Sequence, residues 1–201
     1  MDHSVWLRGV KMTGQLRANW NRHIRSPLGW TISLLVLACG SGALGLALTA
    51  AWAGLRFNDS PSMPTGLYVR TSSESRSSLV VFCPAEPFAR LSGQRGYRSR
   101  GNCGDGAEPL AKPIAARPGD IVELSAHGIT VNGRSLPNTA PLATDTAGRP
   151  LSHWPFGRYV VAPSTVWVAS SYSPRSFDSR YFGPVEASQV REHVRPLLTA
   201  R

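Results

Sequence analysis

An uncharged apolar stretch runs from Trp30 to Leu55 near the start of this 201-residue sequence. Helices of about 20 apolar residues cross the hydrocarbon core of a bilayer, where only a backbone that satisfies its own hydrogen bonds is tolerated. The stretch therefore predicts one transmembrane helix over residues 30–55. A basic segment precedes it and contains Arg8, Lys11, Arg17, Arg22 and Arg25.

The positive-inside rule places such a basic segment in the cytoplasm. We therefore expect three parts: a cytoplasmic basic tail (residues 1–29), the transmembrane helix (residues 30–55) and an exported domain (residues 56–201). In a Gram-negative bacterium the helix would lie in the inner membrane and the exported domain in the periplasm.

A cleavable signal peptide is the alternative interpretation of the apolar stretch, because Ala51-Trp52-Ala53 resembles a cleavage site. The apolar part of a signal peptide is usually about 7–15 residues long, and this stretch is longer. Cleavage there would also leave Asn58 almost at the new N-terminus. We favour a retained anchor, and cleavage stays open as the second interpretation.

The net charge of +10 and the sequence pI of about 10.5 raise the question of nucleic-acid binding. No zinc-finger spacing, helix-turn-helix pattern or aromatic-basic sheet motif accompanies this charge. A positive tail and a basic surface that faces anionic lipid explain the charge better. We expect membrane lipid, and no nucleic acid, among the partners.

Two of the three cysteines, Cys83 and Cys103, lie in the exported part, where disulfides form and persist. They flank an Arg- and Gly-rich segment that resembles a loop in need of restraint. We therefore predict a Cys83–Cys103 disulfide. The histidines of the exported part have no ligand-like spacing to these cysteines, so we expect no metal and no other cofactor. Cys39 lies within the apolar stretch and is interpreted as a small apolar residue.

The exported part is predicted to be mainly β. Short apolar runs bounded by turn residues indicate strands at residues 66–69, 79–82, 120–124, 128–131, 158–161 and 166–169. The last two are expected to pair with each other, and Asn132-Gly133 is a strong hairpin signal. Residues 138–155 look irregular. Only the tail from Glu186 to Leu198 has a helical pattern.

Two segments of this domain contain residues suited to nucleophilic chemistry. Ser62 lies in a stiff turn between Pro61 and Pro64, a setting that can hold a hydroxyl exposed for attack. Lys112 is the only lysine besides Lys11 in a chain that otherwise uses arginine for positive charge. A desolvated lysine can lose its proton, whereas arginine cannot usefully do so. A loop serine and a solvated surface lysine are the plain alternatives.

A third segment, Ser-Phe-Asp-Ser-Arg-Tyr-Phe-Gly from Ser176 to Gly183, makes the pattern specific. With Lys112 before Pro-Gly-Asp, and Ser62-Met63-Pro64 beyond the apolar stretch, it resembles the signal peptidase I family. Within that family the chain is most similar to the conjugative-transfer (TraF-type) peptidases. That closer similarity rests on the segment Asn58–Tyr68, on Cys83 and Cys103, and on Arg95-Gly96-Tyr97.

The resemblance implies a Ser-Lys dyad, with Ser62 as nucleophile and Lys112 as general base. It further implies that Ser60 contributes its hydroxyl to an oxyanion hole and that Ser176 orients the lysine amine. Asp178 and Arg180 correspond to an ion pair that supports the loop.

The chain departs from the family pattern at two places. Pro113 stands where a basic residue usually follows the lysine, and Ser170-Ser171-Tyr172 replaces the usual Gly-Asp-Asn. Neither departure removes an atom of the dyad, but both bear on the local shape of the site.

The implied fold is a signal-peptidase-type antiparallel β domain with one N-terminal transmembrane helix. The implied function is a membrane-anchored serine endopeptidase that binds an extended peptide by strand addition and processes an exported, pilin-like conjugative precursor, with cyclisation of the product as an extension. The alternatives are a general signal peptidase and a non-catalytic, membrane-anchored component of a secretion or conjugation machine. Other proteins of that machine are further candidate partners.

Overall fold

A computed structural model describes residues 27–52, 54–72 and 78–200. By contacts the chain divides into an N-terminal unit that ends at Trp52 and a second unit from Ala53 onward. The predicted basic tail, residues 1–29, lies almost entirely outside the described residues.

The first unit consists of helix α1, Pro27–Trp52. Its segment Trp30–Thr49 has a mean hydropathy of 2.0, and none of these side chains is buried in the protein. At about 1.5 Å per residue, such a segment is long enough to cross a bilayer. The predicted apolar helix is therefore confirmed, but it ends earlier than expected, because Leu55 already belongs to the first strand.

The second unit is mainly antiparallel β, as predicted. Its larger sheet has seven strands in the order β1-β2-β11-β3-β4-β9-β10. These strands are β1 (Leu55–Asn58), β2 (Gly66–Thr71), β3 (Leu79–Phe82), β4 (Leu110–Ala116), β9 (Thr165–Val168), β10 (Val185–Glu186) and β11 (Val190–Thr199).

A smaller sheet has four strands in the order β7-β6-β5-β8. These are β5 (Ile121–Ser125), β6 (Gly128–Val131), β7 (Arg134–Ser135) and β8 (Gly157–Val160). The predicted turn at Asn132-Gly133 joins β6 to β7, and both residues have positive φ (49° and 80°). Positive φ at both central residues is typical of the two-residue turn whose twist matches that of the flanking hairpin strands.

Three short helical segments lie in the described part of this unit. They are α2 (Phe88–Gln94), α3 (Ser179–Phe182) and a 3₁₀ turn (Ala187–Gln189).

Alternation along β3 and β4 places one set of side chains in the main core. Val80, Phe82 and Leu110 are buried there with aromatic side chains from the segment around α3, namely Phe177, Tyr181 and Phe182. Lys112 comes two residues after Leu110 and therefore lies on the same face of β4. The strand pattern thus directs an amine toward an apolar core.

The predicted helix in the tail from Glu186 to Leu198 is wrong. This segment forms the 3₁₀ turn and then β11, which pairs with β2 on one side and β3 on the other. A helix here would place Pro196 in its interior and leave the edges of both neighbouring strands unpaired. In β11 Pro196 is next to a register shift, where a missing N–H is tolerated.

The predicted pairing of residues 158–161 with residues 166–169 is also wrong, although both segments are strands. β8 pairs with β5 in the smaller sheet, whereas β9 pairs with β4 and β10 in the larger one. The short connection between them therefore carries the chain from one sheet to the other. Proximity in sequence suggested a hairpin that the sheet topology does not contain.

Cys83 and Cys103 form the predicted disulfide. The bond closes a loop with a sequence separation of 20 that contains α2. A loop of this length gives a stabilisation of about 3 kcal/mol in the chain-entropy account, because the crosslink restricts the unfolded chain.

We predict that a Cys83→Ser, Cys103→Ser double variant melts roughly 10 °C below the wild-type protein, because it loses this restraint. Thermal unfolding followed by circular dichroism measures the change. Cys39→Ser is the matched control and should leave the transition in place, since Cys39 is not disulfide-bonded. A double variant that melts with the wild type would contradict the assignment of the disulfide as a stabilising crosslink.

Candidate active site

A cleft of about 450 Å³ brings together four of the predicted site residues. Ser60, Ser62, Lys112 and Ser176 all line it. They come from three separate parts of the chain: the turn between β1 and β2, strand β4, and the loop before α3. The fold therefore assembles at one place the hydroxyls and the amine that the sequence suggested.

Asn58, at the end of β1, holds the turn that carries Ser62. Its Nδ2 donates to the carbonyl oxygens of Ser60 (3.2 Å), Met63 (3.4 Å) and Pro64 (3.3 Å). Its Oδ1 accepts hydrogen bonds from the N–H (3.3 Å) and the hydroxyl (2.9 Å) of Ser60. One amide group thus satisfies much of the backbone of a turn that contains two prolines.

The hydroxyls of Ser60 and Ser62 lie 3.2 Å apart. A serine hydroxyl has one proton, and Ser60 gives its own to Asn58. Ser62 is therefore the donor in the contact between the two serines. In this arrangement the proton of Ser62 points to Ser60.

Lys112 is almost completely buried, with 5% of its surface exposed. Burial lowers the pKa of its amine from 10.5 to about 8, because the charged form loses its hydration. The negative charge of Asp178 raises this pKa and the positive charge of Arg180 lowers it, so the two neighbours act in opposite directions. Near neutral pH a useful fraction of the amine is uncharged.

Ser176 is buried, and its Oγ has no hydrogen-bond partner among the residues that the structure describes. A buried hydroxyl without a partner is costly and usually has a reason in the site around it. Ser176 lines the same cleft as Lys112. This hydroxyl is therefore available to the amine or to a bound ligand.

Asp178 and Arg180 form a fully buried ion pair. Arg180 Nε and Nη2 contact the two carboxylate oxygens of Asp178 at 2.8 Å and 2.7 Å. The guanidinium also donates to the carbonyl oxygens of Asn138, Pro174 and Ser176, at 3.0 Å, 3.1 Å and 3.1 Å. The pair does not line the cleft. It holds the backbone of the loop that contains Ser176.

Ser170 lies between this ion pair and the turn of Ser62. Its N–H donates to Asp178 Oδ2 at 3.1 Å, and its hydroxyl donates to the carbonyl oxygen of Ser62. The same hydroxyl accepts the N–H of Tyr172 at 3.1 Å. Ser170 is itself fully buried.

The remaining walls of the cleft are largely apolar and include Leu110, Leu142, Leu151, Phe177 and Tyr181. Tyr97, from the Arg95-Gly96-Tyr97 motif, also lines the cleft, and its hydroxyl donates to Asp145 at 2.6 Å. Asp145 also accepts from Arg149 Nε at 2.7 Å. The motif thus ties the segment after α2 to the loop that contains Asp145.

Within residues 27–52, 54–72 and 78–200, no group of three or more His, Cys, Asp or Glu side chains could hold a metal ion. The cleft is lined by hydroxyls, the buried amine of Lys112, apolar walls, the carboxylate of Asp145 and the guanidinium of Arg175. A hydroxyl beside an amine that can lose its proton is suited to nucleophilic attack with proton transfer.

Sequence reasoning missed two residues that hold this site. Asn58 belongs to the quoted motif but was given no role, although Asn commonly bonds to the backbone two residues on. Ser170 was noted only as a departure from the family pattern. Its contacts join residues 108 positions apart in the sequence, and no local pattern reports such a contact.

Comparison with known proteins places these features in a family. Residues 30–197 match the family described as signal peptidase, peptidase S26. The chain is 37% identical over 166 residues to plasmid transfer protein TraF of Escherichia coli, covering 82% of this chain and 93% of that protein. It is 38% identical over 172 residues to conjugal transfer protein TraF of Agrobacterium tumefaciens (strain 15955), covering 82% and 95%.

Among solved structures, a signal peptidase I from Enterococcus faecalis V583 matches with a TM-score of 0.34 at 20% identity, covering 61% of this chain and 98% of that chain. This superposition is too loose to carry an argument. The family match spans the apolar helix, the Ser62 turn, Lys112 and the segment around Asp178. The chain belongs to the peptidase S26 family of signal peptidases.

Proposed function

We propose that this protein is a membrane-anchored serine endopeptidase with Ser62 as nucleophile and Lys112 as general base. The observation that carries the proposal is the burial of the Lys112 amine in the same cleft as the Ser62 hydroxyl. An amine with a pKa of about 8 can accept a proton near neutral pH, whereas an ordinary lysine amine cannot do so to a useful extent.

The first half of the proposed reaction forms an ester with the enzyme. Lys112 Nζ takes the proton of Ser62 Oγ, and this oxygen attacks the carbonyl carbon of the scissile peptide bond. The carbon–nitrogen bond then breaks, and the lysine ammonium gives its proton to the leaving amine. A water molecule, activated by the same lysine, hydrolyses the ester and releases a carboxylate.

Ser60 is the proposed side-chain donor to the oxyanion that forms during attack, together with the N–H of Ser62. In the free site the hydroxyl of Ser60 donates to Asn58. Rotation of that hydroxyl when the substrate binds would free the donor. It would also end the arrangement in which the proton of Ser62 points to Ser60.

Ser176 and the buried ion pair are proposed to support the lysine. The unpartnered hydroxyl of Ser176 is suited to accept a hydrogen bond from the amine and so to direct its lone pair toward Ser62. Asp178 and Arg180 hold the loop of Ser176 in place. The two charges act on the pKa of the amine in opposite directions, with Asp178 raising it and Arg180 lowering it.

The proposed substrate is an extended peptide of a membrane-bound, pilin-like precursor. In the described residues β1 is an edge strand, and it leads directly into the turn of Ser62. A peptide that adds to this edge would therefore run toward the nucleophile. The relatives named as plasmid or conjugal transfer proteins favour a conjugation-specific precursor and partners from the same machine.

The location proposed for the domain follows the positive-inside rule. We place the N-terminal segment in the cytoplasm, α1 in the inner membrane and the peptidase domain in the periplasm. Residues 56–201 are proposed to form the exported peptidase domain, after a tail at residues 1–29. Tethering to the membrane of the substrate would raise the effective concentration of the enzyme at its target.

Cyclisation is a further extension of this proposal, in which the N-terminal amine of the cleaved precursor replaces water in the attack on the ester. A general signal peptidase is the second candidate, and cleavage of many unrelated preproteins would favour it. A non-catalytic component is the third, and it predicts that function survives loss of the dyad.

We expect Ser62→Ala and Lys112→Ala each to abolish cleavage, because the first removes the nucleophile and the second its base. Purified full-length protein is incubated with candidate pilin precursors, and the products are identified by mass spectrometry. Ser135→Ala, on the exposed strand β7, and Lys11→Ala are the matched controls and should cleave normally. Cleavage that persists in either dyad variant would rule out the proposed pair.

The pH dependence of the reaction should report the buried amine. Lys112 is protonated below its pKa of about 8 and cannot then act as a base. We therefore expect kcat/KM to rise with pH, about tenfold per unit, until about pH 8 and then to level off. A profile that keeps rising toward the ordinary lysine pKa would show that the amine is hydrated during the reaction.

Burial of Lys112 should also cost stability. Its pKa is lower in the folded than in the unfolded protein, so below about pH 8 the folded state carries the full penalty, which vanishes as pH rises toward 10.5. The shift corresponds to about 3 kcal/mol, at 1.36 kcal/mol per pKa unit.

We predict that Lys112→Met, which keeps an unbranched side chain one atom shorter and without a charge, is more stable than the wild type at pH 7 and is inactive. Urea unfolding at pH 7 and about pH 10 measures the free energy, and the gain should shrink at the higher pH. Lys11→Met is the control. A Lys112→Met variant that is less stable at both pH values would contradict a buried, penalised amine.

A further inference from the structure

Ser170 bonds directly to the backbone of Ser62, and the residue before it bonds to the backbone next to Lys112. It follows β9, and the neighbouring Ala169 donates its N–H to the carbonyl oxygen of Pro113 at 3.1 Å, one residue after Lys112. Its own hydroxyl donates to the carbonyl oxygen of Ser62. In the sheet, β4 is separated from β2 by β3 and β11, so the sheet itself gives no direct link between Lys112 and the turn of Ser62.

The hydroxyl of Ser170 has one orientation that satisfies its neighbours. It donates its only proton to Ser62 and accepts the N–H of Tyr172 at 3.1 Å. Its backbone N–H is bound at the same time to Asp178, which is paired with Arg180. Ser170 itself is fully buried, so its side chain has no contact with bulk water.

We propose that Ser170 is a positioning residue for the reaction proposed above: its hydroxyl fixes the carbonyl group of Ser62 relative to the buried Asp178–Arg180 pair and to the strand of Lys112. This inference rests on the proposed function. The turn is then held from two sides, by Asn58 through the carbonyls of Ser60, Met63 and Pro64, and by Ser170 through that of Ser62.

Loss of the Ser170 hydroxyl should disturb the alignment of the Ser62 hydroxyl with the Lys112 amine. Displacement of a reacting atom by about 1 Å can cost about a hundredfold in rate. Asn58 still holds the turn when Ser170 is changed, so the loss should be smaller. We expect Ser170→Ala to lower the rate of attack by Ser62 about tenfold and to leave the titration of Lys112 unchanged, because no charge near the amine has been altered.

The test uses p-nitrophenyl acetate, an activated ester that needs no knowledge of the natural substrate. Lys112 Nζ takes the proton of Ser62 Oγ, this oxygen attacks the acetyl carbonyl, the ester bond breaks, p-nitrophenolate leaves, and the acetyl group remains on the serine. The release is followed by absorbance on full-length protein in detergent, from about pH 6 to about pH 10, and is expressed per folded molecule. Ser171→Ala, the same substitution one residue on, is the control.

At high pH the rate of p-nitrophenolate release should level off at a plateau about tenfold lower in Ser170→Ala than in the wild type. The pH at which the rate reaches half of its plateau should be the same in both. Ser171→Ala should show the wild-type pH dependence. An unchanged plateau would overturn the proposal. So would a fall that disappears once the rate is corrected for the folded fraction, which would make Ser170 a purely structural residue. A shift of the midpoint would also overturn it, since Ser170 would then act on Lys112 and not on Ser62.

A second measurement does not depend on any reaction of Ser62. Amide hydrogen exchange over residues 60–66 should be faster in Ser170→Ala and unchanged in Ser171→Ala, and equal exchange in both would overturn the proposed tie. If wild type and Ser62→Ala release p-nitrophenolate equally, the proposed function fails. The exchange experiment then decides separately whether Ser170 holds the turn.

Discussion

The burial of the Lys112 amine is the constraint on which the rest of this site depends. Lys112 lies on the face of β4 that is turned toward the apolar core, so its amine loses hydration, and this loss lowers its pKa to about 8. The two neighbouring charges act on this pKa in opposite directions: Asp178 raises it and Arg180, its bidentate partner, lowers it. Burial thus lets the amine lose its proton near neutral pH, as the proposed role of Lys112 as general base requires, at a cost to the stability of the fold.

The hydroxyl and the amine come from parts of the sheet that do not touch. Ser62 follows the edge strand β1, whereas Lys112 lies on β4, and two other strands lie between β4 and β2. We propose that the alignment of the two groups depends on the loop after β9, which bonds to the carbonyl oxygens of Ser62 and Pro113, and on Asn58, which holds the turn. The buried ion pair fixes that loop. The site is a junction of three chain segments, each with its own backbone hydrogen bonds.

Much of this could be predicted from the sequence, because the signals were local. An uncharged run predicts the helix, alternation and turn residues predict most strands, and the expected export of Cys83 and Cys103 predicts their bond. Where tertiary pairing decides, the prediction failed: the tail that becomes β11 fills a gap between two strands, and β8 and β9 belong to different sheets. The role proposed for Ser170 also depends on contacts with residues distant in the sequence. The family pattern usually has glycine at this position, so the resemblance gave no role for a serine there.

The protonation of Lys112 itself is the most direct test of this account. The chain has only two lysines, Lys11 and Lys112, so protein labelled with ¹⁵N at the lysine amines gives two signals in NMR spectra, which Lys11→Arg assigns. Titration of these signals measures the pKa without substrate or activity. The account predicts that the amine of Lys112 titrates near pH 8. Titration of this amine at about 10.4, the ordinary lysine value, would contradict it.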